Sequence, residues 1–279
     1  MVAVDAAEAA RYSTHQGVLA SICGAEGRTV MQHITAIGFD LFETLIMVEN
    51  LRREEAAGRL MQSLKHSGFT VVDESFFPIY RAAARRFMEA AQHNGQETHN
   101  RFWVSTALQE LGYDVQPDDT RIALAVERYF TAFTDYAVPI PGTMAMLAAL
   151  KGKYRLGLLS NLTHAPAALH IIDKLGMAPF FDAVVVSGEI GYRKPHPKVF
   201  LALLDQLGTS REQTVFVGDN LEADIQGAQH MGIQPVWMTY VQSQKAREGR
   251  GLAEAPPPAT PHVPTITNWQ DLLTLLAVP

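Results

Sequence analysis

The sequence predicts an α/β protein with a doubly wound parallel sheet, interrupted once by an inserted all-helical domain. Three observations carry this prediction. Short apolar runs alternate with helix-like stretches near both ends of the chain, but a long middle stretch shows only helical patterns. Apolar, β-branched runs are typical of parallel strands buried on both faces. Some of these runs also end at Gly or Asp, and ligands of parallel sheets bind beside such strand ends.

Five short apolar runs are the predicted core strands. The apolar runs cover residues 34–40, 156–159, 183–186, 214–217 and 235–238. The first run ends at Asp40, and the fourth is followed by Gly218 and Asp219. Because the carboxyl ends of parallel strands lie at one edge of the sheet, we expect Asp40 and Asp219 to share one crevice. Two carboxylates in one crevice indicate a metal or nucleophile site.

Helices are predicted between these strands. In the core they cover residues 143–150, 165–175, 197–207, 222–231 and 269–276. Pro197 is favourable in the first turn of its helix, where no amide hydrogen bond is lost. The polar, Pro-rich stretch 242–264 is predicted to be an exposed loop.

The insertion is predicted to be a helical domain of residues 49–138, and residues 33–48 with 139–279 form the core domain. Its helices are predicted at 51–67, 73–91, 100–111 and 118–133, with Asp73 as an N-cap. The aromatic residues of the last helix, Tyr129, Phe130 and Phe133 among them, are interpreted as domain core rather than as a stacking surface.

Composition bounds the class of protein. The 279 residues have 47% hydrophobic content and a formal net charge of −6. No block of like charge indicates a nucleic-acid-binding arm, and no apolar run is long enough to suggest a membrane span. Cys23 is the only cysteine, which excludes an intramolecular disulfide and fits a cytoplasmic location. The Ala-rich residues 1–32 are interpreted as an N-terminal extension, either disordered or an artefact of an upstream start.

Four motifs stand in order at the predicted strand ends. They read FDLFETL at 39–45, GLLSN at 157–161, RKPHP at 193–197 and GDNLEAD at 218–224. Their order and context resemble the haloacid dehalogenase superfamily of hydrolases. The resemblance extends over about residues 34–240 and implies a Rossmann-like core. The insertion resembles the helical type 1 cap, which determines substrate choice in that family.

The resemblance also implies a magnesium-dependent reaction at Asp40. Asp40 would be the nucleophile that forms a phosphoaspartyl intermediate. It would also bind Mg²⁺, together with Asp219 and the backbone carbonyl of Phe42. Because a carboxylate repels a phosphoryl dianion, the metal ion and Lys194 are needed to offset that repulsion. Lys194 would pair with both the phosphoryl group and the nucleophile.

The remaining motif residues have supporting roles in this interpretation. Ser160 and the amide of Asn161 would hydrogen-bond phosphoryl oxygens, where charge develops in the transition state. Asp224 would hold Lys194 or a metal-bound water. Thr44 would either stabilise its loop or contact substrate.

Position 42 departs from the family pattern. Phosphatases of this family usually carry a second Asp two residues after the nucleophile as general acid and base, and Phe42 stands there. A positioned acid–base group contributes roughly 10²–10⁴-fold. Glu43 is the nearest carboxylate, but its side chain should point away from that of Phe42 in an extended segment. An aromatic residue here resembles the 2-haloacid dehalogenases, which need no metal, whereas the intact Gly218-Asp219 favours metal chemistry.

Three functions follow as hypotheses. The leading one is a magnesium-dependent phosphatase acting on a small phosphorylated metabolite. The alternatives are a metal-free 2-haloacid dehalogenase using Asp40, and a binding or regulatory protein that turns over poorly because of Phe42. No nucleic-acid or membrane partner is expected, and the substrate and oligomeric state stay open. Arg52 and Arg53 are either substrate contacts or solvated residues of the first cap helix. Four histidines, His99, His164, His170 and His196, lack metal-ligand spacing and are expected to be unrelated.

Overall fold

The core of the protein is a six-stranded parallel sheet. The computed structural model describes residues 33–247 and 263–278. The strands are β1 Ala36–Phe39, β2 Ile46–Val48, β3 Ala137–Pro139, β4 Arg155–Ser160, β5 Ala183–Val186, β6 Thr214–Gly218, β7 Gln234–Met238 and β8 Thr265–Ile266. The sheet has the order β5-β4-β1-β6-β7-β8, and every pair within it is parallel. The predicted fold class is therefore confirmed.

Helices cover both faces of this sheet. In chain order they are α1 Arg53–His66, α2 Asp73–Asn94, α3 Asn100–Glu110, α4 Thr120–Tyr136, α5 Thr143–Leu150, α6 Ala165–Lys174, α7 Ser187–Ile190, α8 Pro197–Leu207, α9 Gly227–His230, α10 Tyr240–Arg247 and α11 Trp269–Leu275. The side chains of Ile37 and Phe39 pack with α5, α6 and α11 on one face. Those of Ala36 and Phe216 pack with α8 and α9 on the other.

The central position of β1 places Asp40 in the middle of the sheet edge. Phe39 is in register with Leu158 of β4 on one side and with Val217 of β6 on the other. All three side chains are fully buried, because a parallel sheet covered on both faces excludes water from its strands. Polar residues that follow these three strands consequently emerge next to one another.

The insertion forms a second, all-helical unit made of α1 to α4. It leaves and re-enters the core through the short antiparallel pair of β2 and β3, in which Met47 faces Val138. The helices share an apolar cluster separate from those of the sheet, with fully buried Phe76, Leu108 and Ile122 among its members. The division into a core and a cap at residues 49–138 stays a prediction, and this separate cluster supports it.

Several local predictions need correction. Val72, not Asp73, is the N-cap of α2, and the Asp73 carboxylate binds Lys65 at 2.8 Å instead of capping the helix. That helix also continues past the predicted end to Asn94, because Gly95 with φ 68° supplies the left-handed residue that stops it. The helix predicted at 222–231 begins as a π-turn at Leu221–Gln226 before α9.

The prediction of a loop at 242–264 is wrong for its first residues. These residues belong to α10, which continues to Arg247, and the last residues of the stretch lead into β8. Residues 248–262 lie outside the described part of the chain, as do residues 1–32 with the predicted N-terminal extension. Within the described residues, no helix is both long and apolar enough to cross a membrane.

Candidate active site

The predicted site residues meet at the carboxyl edge of the sheet. Asp40 follows β1, and its backbone amide donates to the carbonyl of Val217 on β6 at 2.9 Å. Asp219 follows β6 directly, and Lys194 lies in the loop before α8. These residues line one cavity of about 540 Å³, together with Ser160 and Asp224. The sheet topology thus brings all four sequence motifs to one place.

Lys194 is the electrostatic centre of this cavity. Its Nζ lies 2.6 Å from Asp40 Oδ1, 2.7 Å from Asp224 Oδ1 and 2.9 Å from the carbonyl oxygen of Leu159. Burial opposes the charge of Lys194, but the neighbouring Asp224 and Asp40 outweigh it and raise the pKa of the ammonium group. Lys194 therefore stays cationic at neutral pH.

Asp40, Asp219 and Asp224 form a carboxylate cluster in which one oxygen of each lies within 4.8 Å of the others. One lysine cannot balance three carboxylates. Burial raises the pKa of Asp40 to about 6 against the opposing charge of Lys194. Burial and the nearby Asp40 and Asp224 raise the pKa of Asp219 to about 8. The site therefore carries excess negative charge on hard oxygen donors, which suits a divalent cation such as Mg²⁺.

Asp224 and Asp219 differ in how many partners they already have. Besides Lys194, Asp224 accepts a hydrogen bond from the amide of Asn220 at 2.9 Å, so both its carboxylate oxygens are engaged. Among the described residues, the Asp219 carboxylate accepts one hydrogen bond, from the hydroxyl of Thr44 at 3.4 Å. Asp219 is therefore the better placed of the two to bind a metal ion, and Asp224 to hold Lys194.

Hydrogen bonds to the side chain and the backbone of Asp219 hold this residue of the carboxylate cluster in place. Thr44 is fully buried, which places its hydroxyl against Asp219 rather than on the cavity surface. The backbone carbonyl of Asp219 accepts from Trp237 Nε1 at 2.9 Å and from Gln242 Nε2 at 3.1 Å. Trp237 and Gln242 were not predicted from the sequence, because their residue types carry no metal or phosphate signal.

Ser160 and Asn161 stand at the end of β4. Ser160 is buried, and its hydroxyl has no hydrogen-bond partner among the described residues. The side-chain amide of Asn161 accepts from the backbone amide of Lys194 at 2.8 Å and donates to its carbonyl at 3.0 Å. Asn161 thereby fixes the loop that presents Lys194, a contact that the sequence did not indicate.

Phe42 stands where phosphatases of the family usually have their acid–base residue, and Glu43 is the next residue in the chain. Phe42 is half-buried and lines the cavity that contains Asp40. Glu43 adopts φ 60°, and its carboxylate pairs with Lys245 of α10 at 2.7 Å. Glu43 lines a neighbouring cavity, not the one that contains Asp40. This arrangement does not favour Glu43 as a replacement for the missing acid.

The cap is bound to the loop that carries Lys194. Gln96 forms an antiparallel bridge with Tyr192, and the amide of Arg193 donates to the carbonyl of Gly95 at 2.9 Å. The Glu97 carboxylate is almost fully buried, accepts from the hydroxyl of Ser187 at 2.7 Å and lies 3.5 Å from the Arg193 guanidinium. We refer to this contact between residues 95–97 and 191–193 as the cap bridge.

Two of the histidines expected to be unrelated in fact meet between cap and core. His99 Nε2 lies 3.2 Å from His164 Nδ1, although 65 residues separate them in the chain. Burial and the nearby Arg101 lower the pKa of His99 to about 4, and burial lowers the pKa of His164 as well. Arg52 is exposed, as one of the two interpretations of it expected. Nothing is described for the side chain of Arg53.

Comparison with known proteins identifies the family. The family model of haloacid dehalogenase-like hydrolases matches residues 34–232, which is most of the chain. The chain belongs to the haloacid dehalogenase-like hydrolases. The resemblance seen in the four motifs is thereby confirmed, and the protein is a hydrolase.

Relatives within the haloacid dehalogenase-like family include named phosphatases. A glyceraldehyde 3-phosphate phosphatase of Methanopyrus kandleri is 31% identical over 204 residues, covering 73% of this chain and 83% of that protein. A ribulose-1,5-bisphosphate 5-phosphatase of Halopiger xanaduensis is 28% identical over 86% of this chain and 99% of its own length. Among solved structures, a 2-haloacid dehalogenase from Pseudomonas syringae pv. Tomato has a TM-score of 0.64 and 24% identity, covering 88% of this chain and 98% of that one. That likeness shows the shared fold.

Proposed function

We propose that this hydrolase is a magnesium-dependent phosphatase that acts on a small phosphorylated metabolite through a covalent intermediate on Asp40. The observation that carries the proposal is the cluster of Asp40, Asp219 and Asp224 around a single buried Lys194. Because the cluster carries surplus negative charge, a bound cation would stabilise it. A cation together with Lys194 would also allow a phosphate dianion to approach. The named phosphatases among the sequence relatives support the same reaction class.

The residues suited to hold Mg²⁺ are Asp40 and Asp219, with the backbone carbonyl of Phe42 as a further predicted ligand. When bound, the ion would neutralise negative charge and polarise phosphoryl oxygens. Asp224 stays with Lys194 in this proposal, because both of its carboxylate oxygens are already engaged.

The chain's own groups account for the rest of the reaction. Lys194 holds the Asp40 carboxylate in place and keeps it ionised for attack on phosphorus. A bond forms from an Asp40 oxygen to phosphorus as the bond from phosphorus to the alcohol oxygen breaks. The hydroxyl of Ser160, which has no protein partner among the described residues, and the amide of Asn161 are proposed donors to the phosphoryl oxygens. Water then attacks the phosphoaspartate and releases phosphate.

The site is proposed to work without a general acid in the usual place. Phe42 cannot protonate the departing alkoxide, so the alcohol takes its proton from water. Esters of acidic alcohols should consequently react much faster than alkyl phosphates.

A phosphate-release assay tests the proposal. We expect magnesium-dependent release from at least one ester in a panel of phosphorylated metabolites and aryl phosphates. Asp40→Asn should abolish it, and Asp205→Asn, an exposed carboxylate on α8, should not. Absence of release with every ester, together with chloride release from 2-chloropropionate without metal, would replace the proposal by the dehalogenase alternative that Phe42 favours.

A further inference from the structure

A second, larger cavity adjoins the one that contains Asp40. Its volume is about 1070 Å³, and it shares Phe42, Met88, Asn161 and Arg193 with the smaller cavity. Sites for drug-sized ligands span roughly 300–1,000 Å³. A three-carbon sugar phosphate bound at Asp40 would therefore leave most of this space empty.

Aromatic rings from both parts of the protein line the larger cavity. Phe42 comes from the core, Trp103 from α3, and Tyr129, Phe130 and Phe133 from α4. The Tyr129 ring meets that of Phe130 edge-to-face, with 5.2 Å between centroids, and lies tilted at 5.5 Å from that of Phe133, so these three contacting rings form the aromatic surface of the cavity. Phe130 is buried, with 5% of its surface exposed, and the other four are half-buried, which leaves part of each accessible. The α4 aromatics therefore belong to the cap core, as predicted, and they also line this cavity.

Both cations among the described residues that line the larger cavity are already paired. Arg193 pairs with Glu97, and Lys245 pairs with Glu43. Glu49, a third acidic residue, also lines it. A second phosphate or a carboxylate on the substrate would meet this acidic group and no unpaired cation among the described lining residues. The electrostatics therefore favour an uncharged group in this space.

We propose that the larger cavity binds the alcohol part of the substrate, and that this part carries a planar, uncharged ring such as a nucleobase. The inference rests on the proposed function, because it takes the phosphoryl group to lie at Asp40. A ring would stack on the aromatic surface while Lys194 and the bound cation hold the phosphoryl group. Base–aromatic stacking contributes about 1–3 kcal/mol per base when measured by alanine substitution. The corresponding gain in affinity is about 5- to 150-fold.

Binding to Asp40→Asn protein in the presence of Mg²⁺ tests this inference without turnover. The ligands are adenosine 5′-monophosphate, ribose 5-phosphate and hexyl phosphate, and calorimetry gives their dissociation constants. Adenosine 5′-monophosphate and ribose 5-phosphate share the same primary phosphate ester, and only the nucleotide carries the adenine ring. We expect the nucleotide to bind at least about fivefold more tightly than either of the other two. Equal affinity for the nucleotide and ribose 5-phosphate, or for the nucleotide and hexyl phosphate, would overturn the inference.

Variants assign the effect to the aromatic surface. Tyr129→Leu and Trp103→Leu should lower the ratio of the dissociation constant of ribose 5-phosphate to that of adenosine 5′-monophosphate towards one. Phe102→Leu is the matched control, because Phe102 stands beside Trp103 on α3 but is exposed and is not part of the cavity lining. Preservation of the ratio in Tyr129→Leu and Trp103→Leu would contradict the assignment.

Turnover by the wild type separates the two proposals. Phosphate release from ribose 5-phosphate as efficient as from the nucleotide would leave the phosphatase intact and refute the ring preference. Preferential nucleotide binding by Asp40→Asn, with no phosphate release by the wild type, would support the ring-binding cavity and refute the phosphatase.

Discussion

At the scale of single residues, Phe42 determines, under the proposed function, which esters the site would cleave. Its ring lines the cavity that contains Asp40, at the position where phosphatases of this family usually carry an acid. The other nearby carboxylate, Glu43, is paired with Lys245. The site therefore has a predicted nucleophile, a lysine and a candidate metal cluster, and it lacks a positioned proton donor at residue 42.

Installing that donor should increase activity. We predict that Phe42→Asp raises kcat for alkyl phosphates by about 10²-fold, the lower end of what a positioned acid–base group contributes. The gain should be much smaller for aryl phosphates, whose leaving groups need no proton. Phe42→Asn, which is polar but not acidic, is the control. Equal gains in both variants would show that relief of the ring's bulk, and not proton donation, is responsible.

The carboxylate cluster should destabilise the protein when no metal is present. Asp219 has its pKa raised from 3.8 to about 8 by burial and by Asp40 and Asp224. A carboxyl group whose pKa is higher in the folded state binds protons more tightly there. Stability is therefore lost as the pH rises from about 4 through 8. Asp40, with its pKa raised to about 6, acts in the same direction.

Asp219→Asn tests this charge imbalance. In the metal-free protein at pH 8, it should raise the thermal unfolding midpoint by several degrees, at roughly 2–4 °C per kcal/mol for a protein of this size. It should also flatten the dependence of the midpoint on pH. Mg²⁺ should stabilise the wild type more than the variant. A lower midpoint for Asp219→Asn at pH 8, with Asp205→Asn unchanged, would show that the cluster is not under electrostatic stress.

At the scale of elements, the end of β6 fixes the position of Asp224. A Cβ added at Gly218 would overlap the carboxyl group of Asp224, which in turn holds Lys194. Asp224 can therefore pack against the end of β6 only because position 218 has no side chain.

A pair of glycine substitutions tests this dependence. Gly218→Ala should displace Asp224 and reduce kcat strongly, with a loss of stability. Gly58→Ala, in the exposed face of α1 where an added Cβ meets nothing within 4 Å, should stabilise the protein by roughly 0.5–1 kcal/mol and leave kcat unchanged. Urea denaturation and steady-state kinetics measure both. Wild-type kcat in Gly218→Ala would show that Asp224 does not position Lys194.

The cap bridge couples the cap to the Lys194 loop. Because the buried Glu97 carboxylate serves both Ser187 and Arg193, its removal leaves two polar groups without their partner. We predict that Glu97→Ala lowers the free energy of unfolding by about 1–3 kcal/mol. It should also speed hydrogen exchange of the backbone amides in residues 188–197. Glu110→Ala, which breaks only an exposed pair with Arg86, should cost less than about 1 kcal/mol. Unchanged exchange in Glu97→Ala would mean that the bridge does not hold the loop.

At the scale of the whole molecule, the sequence was informative where patterns are local. Five of the six core strands could be predicted because buried parallel strands are continuous apolar runs, and the motifs could be placed because each follows a strand end. The strands β2, β3 and β8 were missed because two or three residues are too few to show a periodicity. The meeting of His99 and His164, and the support of Asp219 by Trp237, arise from folding and leave no local signal.

The proposed reaction requires that Asp40 becomes phosphorylated during turnover. The most direct measurement is acid quenching of the enzyme mixed with a cleaved phosphate ester and Mg²⁺, followed by mass spectrometry of the peptide that contains Asp40. We predict one added phosphoryl group on Asp40, absent without Mg²⁺ and absent in Asp40→Asn. Phosphate release with no phosphorylated Asp40 at any quench time, or the modification on another residue, would contradict it.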